Sequence, residues 1–340
     1  MEVKHMSVEV LVNDYRNGYL ENIHPGHICG VNATGIIKYK VGDTEHWTFL
    51  RSALKPIQAI PAIANHIQEH FKLTNRETSL IAASHRGEEL HIDELEKLLD
   101  KIGVAEEELL CHPTYPLNSR AKEALLKKNQ PKRKLYHNCS GKHLGMLALA
   151  KVLGVNTEGY FELEHPVQQE ILIALSSISG CSIDQIRMGV DGCGVPVYAL
   201  PLKFLANTYL RFARPELICD QSIQDAVIKI TSMMNEHPEI ISGTNAICTS
   251  LLMDDNIVAK GGAQGVYCFG LKEEKLGFSL KVMDGSEEQW PLIVASILEQ
   301  IEYKNQDTIQ RLYNLSQKEI YNDNNKLVGN KKAVFKLVEV

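Results

Sequence analysis

Polar and apolar residues alternate along Ser7-Val8-Glu9-Val10-Leu11-Val12, the two-residue period of a strand with one buried face. Gly30-Val31-Asn32-Ala33-Thr34-Gly35 and the run from Ile36 to Val41 continue as strands, and Gly42-Asp43 predicts the hairpin turn that ends them. His46 to Phe49 predicts one more short strand. The pattern changes at Arg51. From there to about residue 245, apolar residues recur mostly at helical spacing. Leu95, Leu98 and Leu99 define one face of a helix from His91 to Ile102, with acidic residues early in it, where the helix dipole favours them. Leu144 to Leu153, Val167 to Ser176, Val197 to Phe212 and Ala226 to Asn235 predict further helices. Strands return at Asn256 to Leu271 and Lys275 to Val282, joined by Lys272-Glu273-Glu274, and Trp290 to Ile301 predicts a closing helix.

Strands at both ends with helices between predict an α+β fold, in which one mostly antiparallel sheet is assembled from the two ends of the sequence. The expected division is a sheet-containing lobe from residues 1–50 and 245–340, a mainly helical lobe from 51–244, and an active site between them. The length of 340 residues supplies ample material for such a core.

Composition narrows the function classes. A chain that is 44% hydrophobic and 23% charged is neither disordered nor fibrous. A net charge of -6 runs against nucleic-acid binding, and the basic run Lys127 to Lys134 reads as a solvated loop. Met1 to Ser7 has no apolar signal core and no stretch reaches membrane-spanning length, so the expectation is a cytoplasmic protein. Eight cysteines spread along the chain then read as reduced thiols.

Five segments carry chemistry. In Arg51-Ser52-Ala53-Leu54-Lys55-Pro56 a serine and a lysine stand three apart where a helix begins, so an amine could take the hydroxyl proton. The ordinary alternative is a serine cap and a surface lysine. Ala83-Ser84-His85-Arg86-Gly87-Glu88-Glu89-Leu90-His91 packs hydroxyl, imidazole, guanidinium and carboxylates around one glycine, unless it is simply a polar loop with a capping acid. Asn138-Cys139-Ser140-Gly141-Lys142-His143 opens an apolar helix, a setting that favours a thiolate or a bound anion. Asp191-Gly192-Cys193-Gly194 is a glycine-rich turn after a strand. Each cysteine alone could be inert, but together they could supply two sulfur ligands. Ala259-Lys260-Gly261-Gly262-Ala263-Gln264-Gly265 places glycines in a strand, where a ligand can approach the backbone, and resembles the Lys-Thr-Gly strand of serine β-lactamases and penicillin-binding proteins.

Jointly and in this order, the five segments resemble the rhizobial-type L-asparaginase family, over about residues 8 to 300. The resemblance implies a three-layer α/β/α fold like that of the serine β-lactamases and penicillin-binding proteins. It implies two Ser–Lys pairs, Ser52 with Lys55 and Ser84 with Lys260, Lys281 on the next strand competing for the last role. It implies one zinc per chain held by Cys139, Lys142 and Cys193, and it places Arg51, His143 and Asp191 near the substrate. Arg51 suits a carboxylate and Asp191 an ammonium, the two clamps an amino-acid amide requires. Asparagine as substrate and a homodimer as the assembly follow from the same resemblance.

A lysine acts as base only when neutral. From a reference near 10.4, half-neutrality at pH 7 means a lowering of about 3 pH units, roughly 4 kcal/mol, which burial and a second cation both favour. The expected order is acylation of Ser52 with Lys55 as base, Ser84 and Lys260 relaying the proton to ammonia, and Ser84 as rival nucleophile. Attack by zinc-bound water, a glutaminase or related amidase, a penicillin-binding-type enzyme and an amino-acid-binding or metal-storage protein are the competing readings. The polar, Asn-rich stretch after about 305 carries no expectation.

Overall fold

The computed structural model describes residues 8–340. The reading of Met1 to Ser7, including Ser7 as the first strand residue, lies outside the described residues. In chain order, strands β1 (Glu9–Arg16), β2 (Tyr19–Val31), β3 (Ile37–Val41) and β4 (Trp47–Phe49) come first. A 3-10 turn at Arg51–Leu54 leads to α1 (Lys55–Ala64), α2 (Ile67–His70), α3 (Asn75–Ser79), α4 (Glu89–Ile102), α5 (Ser119–Lys127), α6 (Ser140–Leu153) and α7 (Pro166–Ser179). Then follow β5 (Arg187–Val190), β6 (Pro196–Pro201), α8 (Leu202–Ala213), α9 (Gln221–Glu236), α10 (Pro238–Ser242) and α11 (Ile247–Leu252). The last part holds β7 (Ile257–Gly261), β8 (Val266–Leu271), β9 (Leu276–Val282), α12 (Trp290–Gln300), α13 (Gln306–Leu315), β10 (Glu319–Tyr321), β11 (Leu327–Ala333) and β12 (Val338–Glu339). The fold is α+β. No helix of the described residues is long and apolar enough to cross a membrane.

Two compact units result. One takes the described residues up to Ala53 with Leu200–Ala213 and Asn245–Val340; the other takes Leu54–Ala199 with Arg214–Thr244. The first contains an antiparallel sheet in the order β10-β11-β1-β2-β9-β8-β7, with β3 paired to β2 and β12 to β3. Helix α8 lies against one face so closely that a Cβ at Gly277 would sit 2.2 Å from the Ala206 carbonyl oxygen. Only glycine allows this contact. On the other face Tyr267 meets Trp290 of α12 at 5.2 Å between ring centroids, and Phe269 stacks on Phe278 at 5.0 Å. This unit is therefore three layers deep by itself. Asp254 ties α13 to it, accepting hydrogen bonds from Tyr303 Oη at 2.8 Å, Asn305 Nδ2 at 2.9 Å and Thr308 Oγ1 at 2.6 Å.

Three local expectations change. The stretch Gly30 to Gly35, expected as strand, turns at Asn32, whose side chain accepts from the N–H groups of Thr34 and Ile36; the chain does leave β3 at Gly42, but not as a hairpin, because β4 belongs to a separate sheet. The segment from Val197 to Phe212 is a strand followed by a helix, because Pro201 interrupts what reads as one apolar run. Its helix, α8, belongs to the sheet unit. The stretch after 305 folds as α13 and three strands, of which β11 pairs with β1 from Val12↔Ala333 to Arg16↔Gly329.

The second unit surrounds α1, which packs against α6, α7 and α9. Every residue of α1 from Lys55 to Ile63 is buried. A helix apolar nearly all round belongs at a core, and α1 carries Lys55 there with it. The basic run near residue 130 is exposed, with Arg133 paired to Glu96 at 2.7 Å and Glu106 at 2.8 Å.

Candidate active site

Lys55 starts α1 with Pro56 beside it in the first turn, where a missing N–H costs nothing. Its side chain is fully buried. Nζ donates to Ser84 Oγ at 2.9 Å and to the Asn138 carbonyl oxygen at 2.7 Å. Burial holds the amine below its ordinary pKa; Lys142 adds to this, while Cys139, Cys193 and Asp191 oppose it. Ala83 leaves the 3-10 turn Leu80–Ala82 in extended backbone, and the next residue, Ser84, donates its own N–H to the Ile241 carbonyl oxygen at 2.8 Å. That N–H is therefore committed to the fold.

The histidines of the same segment are also committed. His85 Nδ1 accepts from Gly87 N–H at 3.1 Å, and Nε2 lies 2.8 Å from Ser140 Oγ, which itself donates to the Leu135 carbonyl oxygen. Burial keeps His85 well below the usual histidine pKa, so it is a neutral strut. His91 is held alike, between Glu88 N–H at 3.1 Å and the Glu239 carbonyl oxygen at 3.0 Å. The density of reactive side chains seen in this stretch of sequence thus divides into one hydroxyl facing Lys55 and two structural imidazoles.

The second cluster forms at the start of α6. A Cβ at Gly141 would sit 2.2 Å from the Leu80 carbonyl oxygen, so this glycine brings the first turn of α6 directly onto the turn before Ser84. Cys139 immediately precedes α6 and Lys142 lies in its first turn. The other side comes from the turn between β5 and β6, where Gly194 has φ of 94° and carries Asp191 and Cys193 round to face them. The ligating atoms of Cys139, Asp191 and Cys193 all lie within 4.8 Å of one another. Lys142 Nζ is 3.0 Å from Cys193 Sγ and 3.5 Å from Asp191 Oδ2.

Electrostatics follows from this crowding. The Cys193 contact holds Cys139 well below the ordinary thiol pKa against burial, with Lys142 and Lys55 adding to the effect. The same contact pushes Cys193 up, with burial adding. Burial alone would lower Lys142, yet Cys139, Cys193 and Asp191 together raise it. Two sulfurs, an amine and a carboxylate oxygen in a buried space form a donor set that suits zinc in number and softness. The residues fit such an ion once Lys142 gives up its proton. Asp191, expected beside the substrate, is part of this cluster; its one-residue separation from Cys193 within a single turn was the available signal.

His143, also on α6, is fully buried. Its Nδ1 lies 2.6 Å from the hydroxyl of Tyr160, a residue that no motif in the sequence points to; the Asn138 carbonyl that receives Lys55 is equally unmarked. One unit thus brings together Lys55, Ser84, Cys139, Lys142, His143, Asp191 and Cys193. Arg51, Ser52, Lys260 and Lys281 belong to the other. There Arg51 has φ of 49°, an uncommon backbone state for a bulky side chain, directly before the partly exposed Ser52. Lys260 is buried on β7 and donates to the Gly261 carbonyl oxygen at 2.9 Å. Lys281, half-buried on β9, donates to the Gln264 carbonyl oxygen, and burial lowers its pKa while Asp284 opposes.

A family profile described as L-asparaginase II matches residues 12–333. No curated protein matches the chain. Among solved structures, a β-lactamase from Mycobacterium bovis is 14% identical, with 81% of this chain and 94% of that chain covered and a TM-score of 0.39. A Bacillus glutaminase is 13% identical, with 82% and 92% covered and a TM-score of 0.39. A protein named Mglu is 14% identical, with 82% and 67% covered and a TM-score of 0.36. None of these likenesses bears on the role of any residue.

Proposed function

The chain belongs to the L-asparaginase II family and is an asparaginase-type amidohydrolase; from that premise we propose that it releases ammonia from L-asparagine through an acyl-enzyme on Ser52, with Lys55 as the base. The single observation that carries this is the environment of Lys55. A neutral amine has two N–H groups and one lone pair. One N–H must go to the Asn138 carbonyl, which can only accept, and the other serves Ser84. The lone pair is then left for a hydroxyl other than Ser84, and the sequence supplies Ser52 three residues before Lys55.

In the first step Lys55 takes the Ser52 proton as Oγ bonds to the amide carbon. The tetrahedral adduct collapses, the C–N bond breaks, and the proton passes from Lys55 through Ser84 to the departing nitrogen, giving ammonia. Water then attacks the ester as the regenerated amine takes its proton; the adduct collapses, the bond from carbon to Ser52 Oγ breaks, Lys55 returns that proton to Oγ, and aspartate leaves. With its own N–H bound to Ile241, Ser84 cannot lend that group to the oxyanion, whose donors lie elsewhere. Lys260 is the proposed second lysine of the relay, Arg51 the carboxylate clamp.

A zinc held by Cys139, Lys142 and Cys193, with Asp191 at its side, would supply an electropositive anchor that fixes the Asp191–Gly194 turn against α6. In that arrangement Asp191 is shared between ordering the cluster and receiving the substrate ammonium. A homodimer is part of the same proposal and rests on the family resemblance alone.

One observation favours a second reading. The 2.9 Å contact also permits Ser84 to give its proton to Lys55 and become the acylated group. Rapid quenching during turnover, followed by peptide mapping, distinguishes them: an aspartyl adduct on the Ser52 peptide supports the proposal, and one on Ser84 replaces it. Ammonia release over asparagine, glutamine and other small amides tests the substrate, since one methylene changes binding by only about 1–3 kcal/mol.

A further inference from the structure

Two hydrogen-bonding groups meet at the Tyr160 hydroxyl, and counting the protons among the three fixes the tautomer of His143. Leu110 N–H donates to Tyr160 Oη at 2.8 Å. His143 Nδ1 lies 2.6 Å from the same oxygen. The hydroxyl has one proton to give. If it goes to Nδ1, then Leu110 N–H, the hydroxyl proton and Nδ1 are all satisfied, and the imidazole carries its own proton on Nε2. In the opposite arrangement Nδ1–H donates to Tyr160, the hydroxyl proton has no acceptor, and Nε2 keeps a bare lone pair. The first arrangement leaves one buried group without a partner and the second leaves two. Buried polar groups are rarely left unpaired, so the first prevails.

The group left over in either case is Nε2, which is buried and has no hydrogen-bond partner among the described residues. The charged groups acting on the ring are those of the site itself, with Lys142, Cys139 and Lys55 among them. Tyr160 is itself firmly held, since it is buried and Gln168 Nε2 donates to its carbonyl oxygen at 2.8 Å. We infer that Tyr160 is a positioning residue, which locks His143 as a neutral Nε2–H donor directed at an oxygen of the bound amide substrate. With its only lone pair engaged by the Tyr160 proton, His143 is a hydrogen-bond donor and never a general base. The tautomer stands on hydrogen bonding alone; the substrate oxygen as acceptor rests on the amidohydrolase reading above.

The experiment therefore has an arm that needs no turnover. In protein labelled with 15N-histidine, with His143 assigned through its loss in His143→Gln, long-range 1H–15N correlation should place the ring proton on Nε2. Adding L-aspartate, the product, should shift that proton. A proton on Nδ1 overturns the tautomer, and no response to aspartate overturns the substrate contact. In the activity arm, Tyr160→Phe frees the ring to redistribute its proton and should lower kcat/KM about 10- to 100-fold, the range expected for a misplaced transition-state donor. His143→Gln keeps an N–H near the Nε2 position and should retain more activity than His143→Ala. In the His143→Gln background Tyr160→Phe should cost much less, because a glutamine amide has no tautomer to lock. Equal losses from Tyr160→Phe in both backgrounds would assign Tyr160 a purely structural role and sink the proposal. Should Tyr160→Phe fail to fold, the labelled wild-type protein still decides the tautomer.

Discussion

The first turns of α1 and α6 each seal a lysine from water, and the two amines are driven in opposite directions. Lys55 meets a hydroxyl and a carbonyl, neutral groups that do not offset the desolvation of a charge, and its pKa falls. Lys142 meets two cysteines and a carboxylate, and its pKa rises despite equal burial. Burial alone therefore does not make a catalytic base; the charge of the partners decides. The same partners that keep Lys142 protonated are those that would hold a metal ion beside its neutral amine, so the cluster can take either a proton on Lys142 or a cation.

Replacing each lysine by arginine should break this symmetry most severely. Arginine keeps its proton at every accessible pH, so Lys55→Arg should lower kcat by about 1000-fold or more, as a lost base would. Lys142→Arg keeps the charge and should cost at least about tenfold less in kcat, its main effect being lost metal affinity. Steady-state kinetics on both variants, with circular dichroism as the control for folding, checks this. Similar losses in the two would erase the distinction.

The next test concerns the anionic cluster. Elemental analysis should find about one zinc per chain in the purified protein, and a Cys139→Ser, Cys193→Ser double variant should lose it, as expected when both thiolates leave a site of this type. Full metal retention in that variant would remove these cysteines from the ligand set. Stripping the metal should leave measurable turnover, since the serine is the nucleophile; complete loss with the fold intact would favour zinc-bound water.

A smaller effect, but a directional one, is expected in the pH dependence of kcat/KM. At low pH Lys55 is protonated and has no lone pair, so activity is lost. It rises as pH climbs through the folded-state pKa of Lys55, which lies below 10.5, and falls when the second, charge-stabilising lysine deprotonates. Histidine offers no substitute here: burial carries His143 down to about 3 and His85 well below its usual value. The acid limb should survive His143→Gln and be measured at constant metal content. Its disappearance in that variant would transfer the base role to His143.

The least effect on chemistry is expected at Asp254, which has no part in the proposed mechanism. Asp254→Ala leaves three donors without their acceptor, two of them on the buried residues Tyr303 and Thr308, and should destabilise by about 2–3 kcal/mol, with kcat unchanged. Denaturant unfolding and kinetics measured side by side would show whether stability and activity separate at this position.

What the sequence disclosed follows the same divide between local and distant causes. The helix at Glu89–Ile102 was legible because its leucines repeat within one window. The strand Pro196–Pro201 was not, since all six of its residues are buried and so it lacks the alternation that marks a half-exposed strand. The stretch holding β11 reads as polar surface; it becomes a strand through β1, a partner no local window contains. At the site, serine, lysine and cysteine motifs revealed the chemical types. Their pairing did not follow: sequence spacing pairs Lys55 with Ser52, and its visible hydrogen bond goes to Ser84. The Tyr160 hydroxyl carried no local signal, because a tyrosine in a loop gains its meaning only from the imidazole it meets.

The pairing of β1 with β11 also sets an order of events during synthesis. Strand β1 can zip to β2 as soon as both have left the ribosome, for their hairpin is local. Its other edge stays open until Ala333 is available to meet Val12. Meanwhile nearly the whole chain is translated past an unpaired strand edge, the kind of surface that neighbouring nascent chains can join. Folding limited by so remote a contact is slow by topology, whatever the final stability. High-level expression should therefore be sensitive to translation rate and chaperone supply.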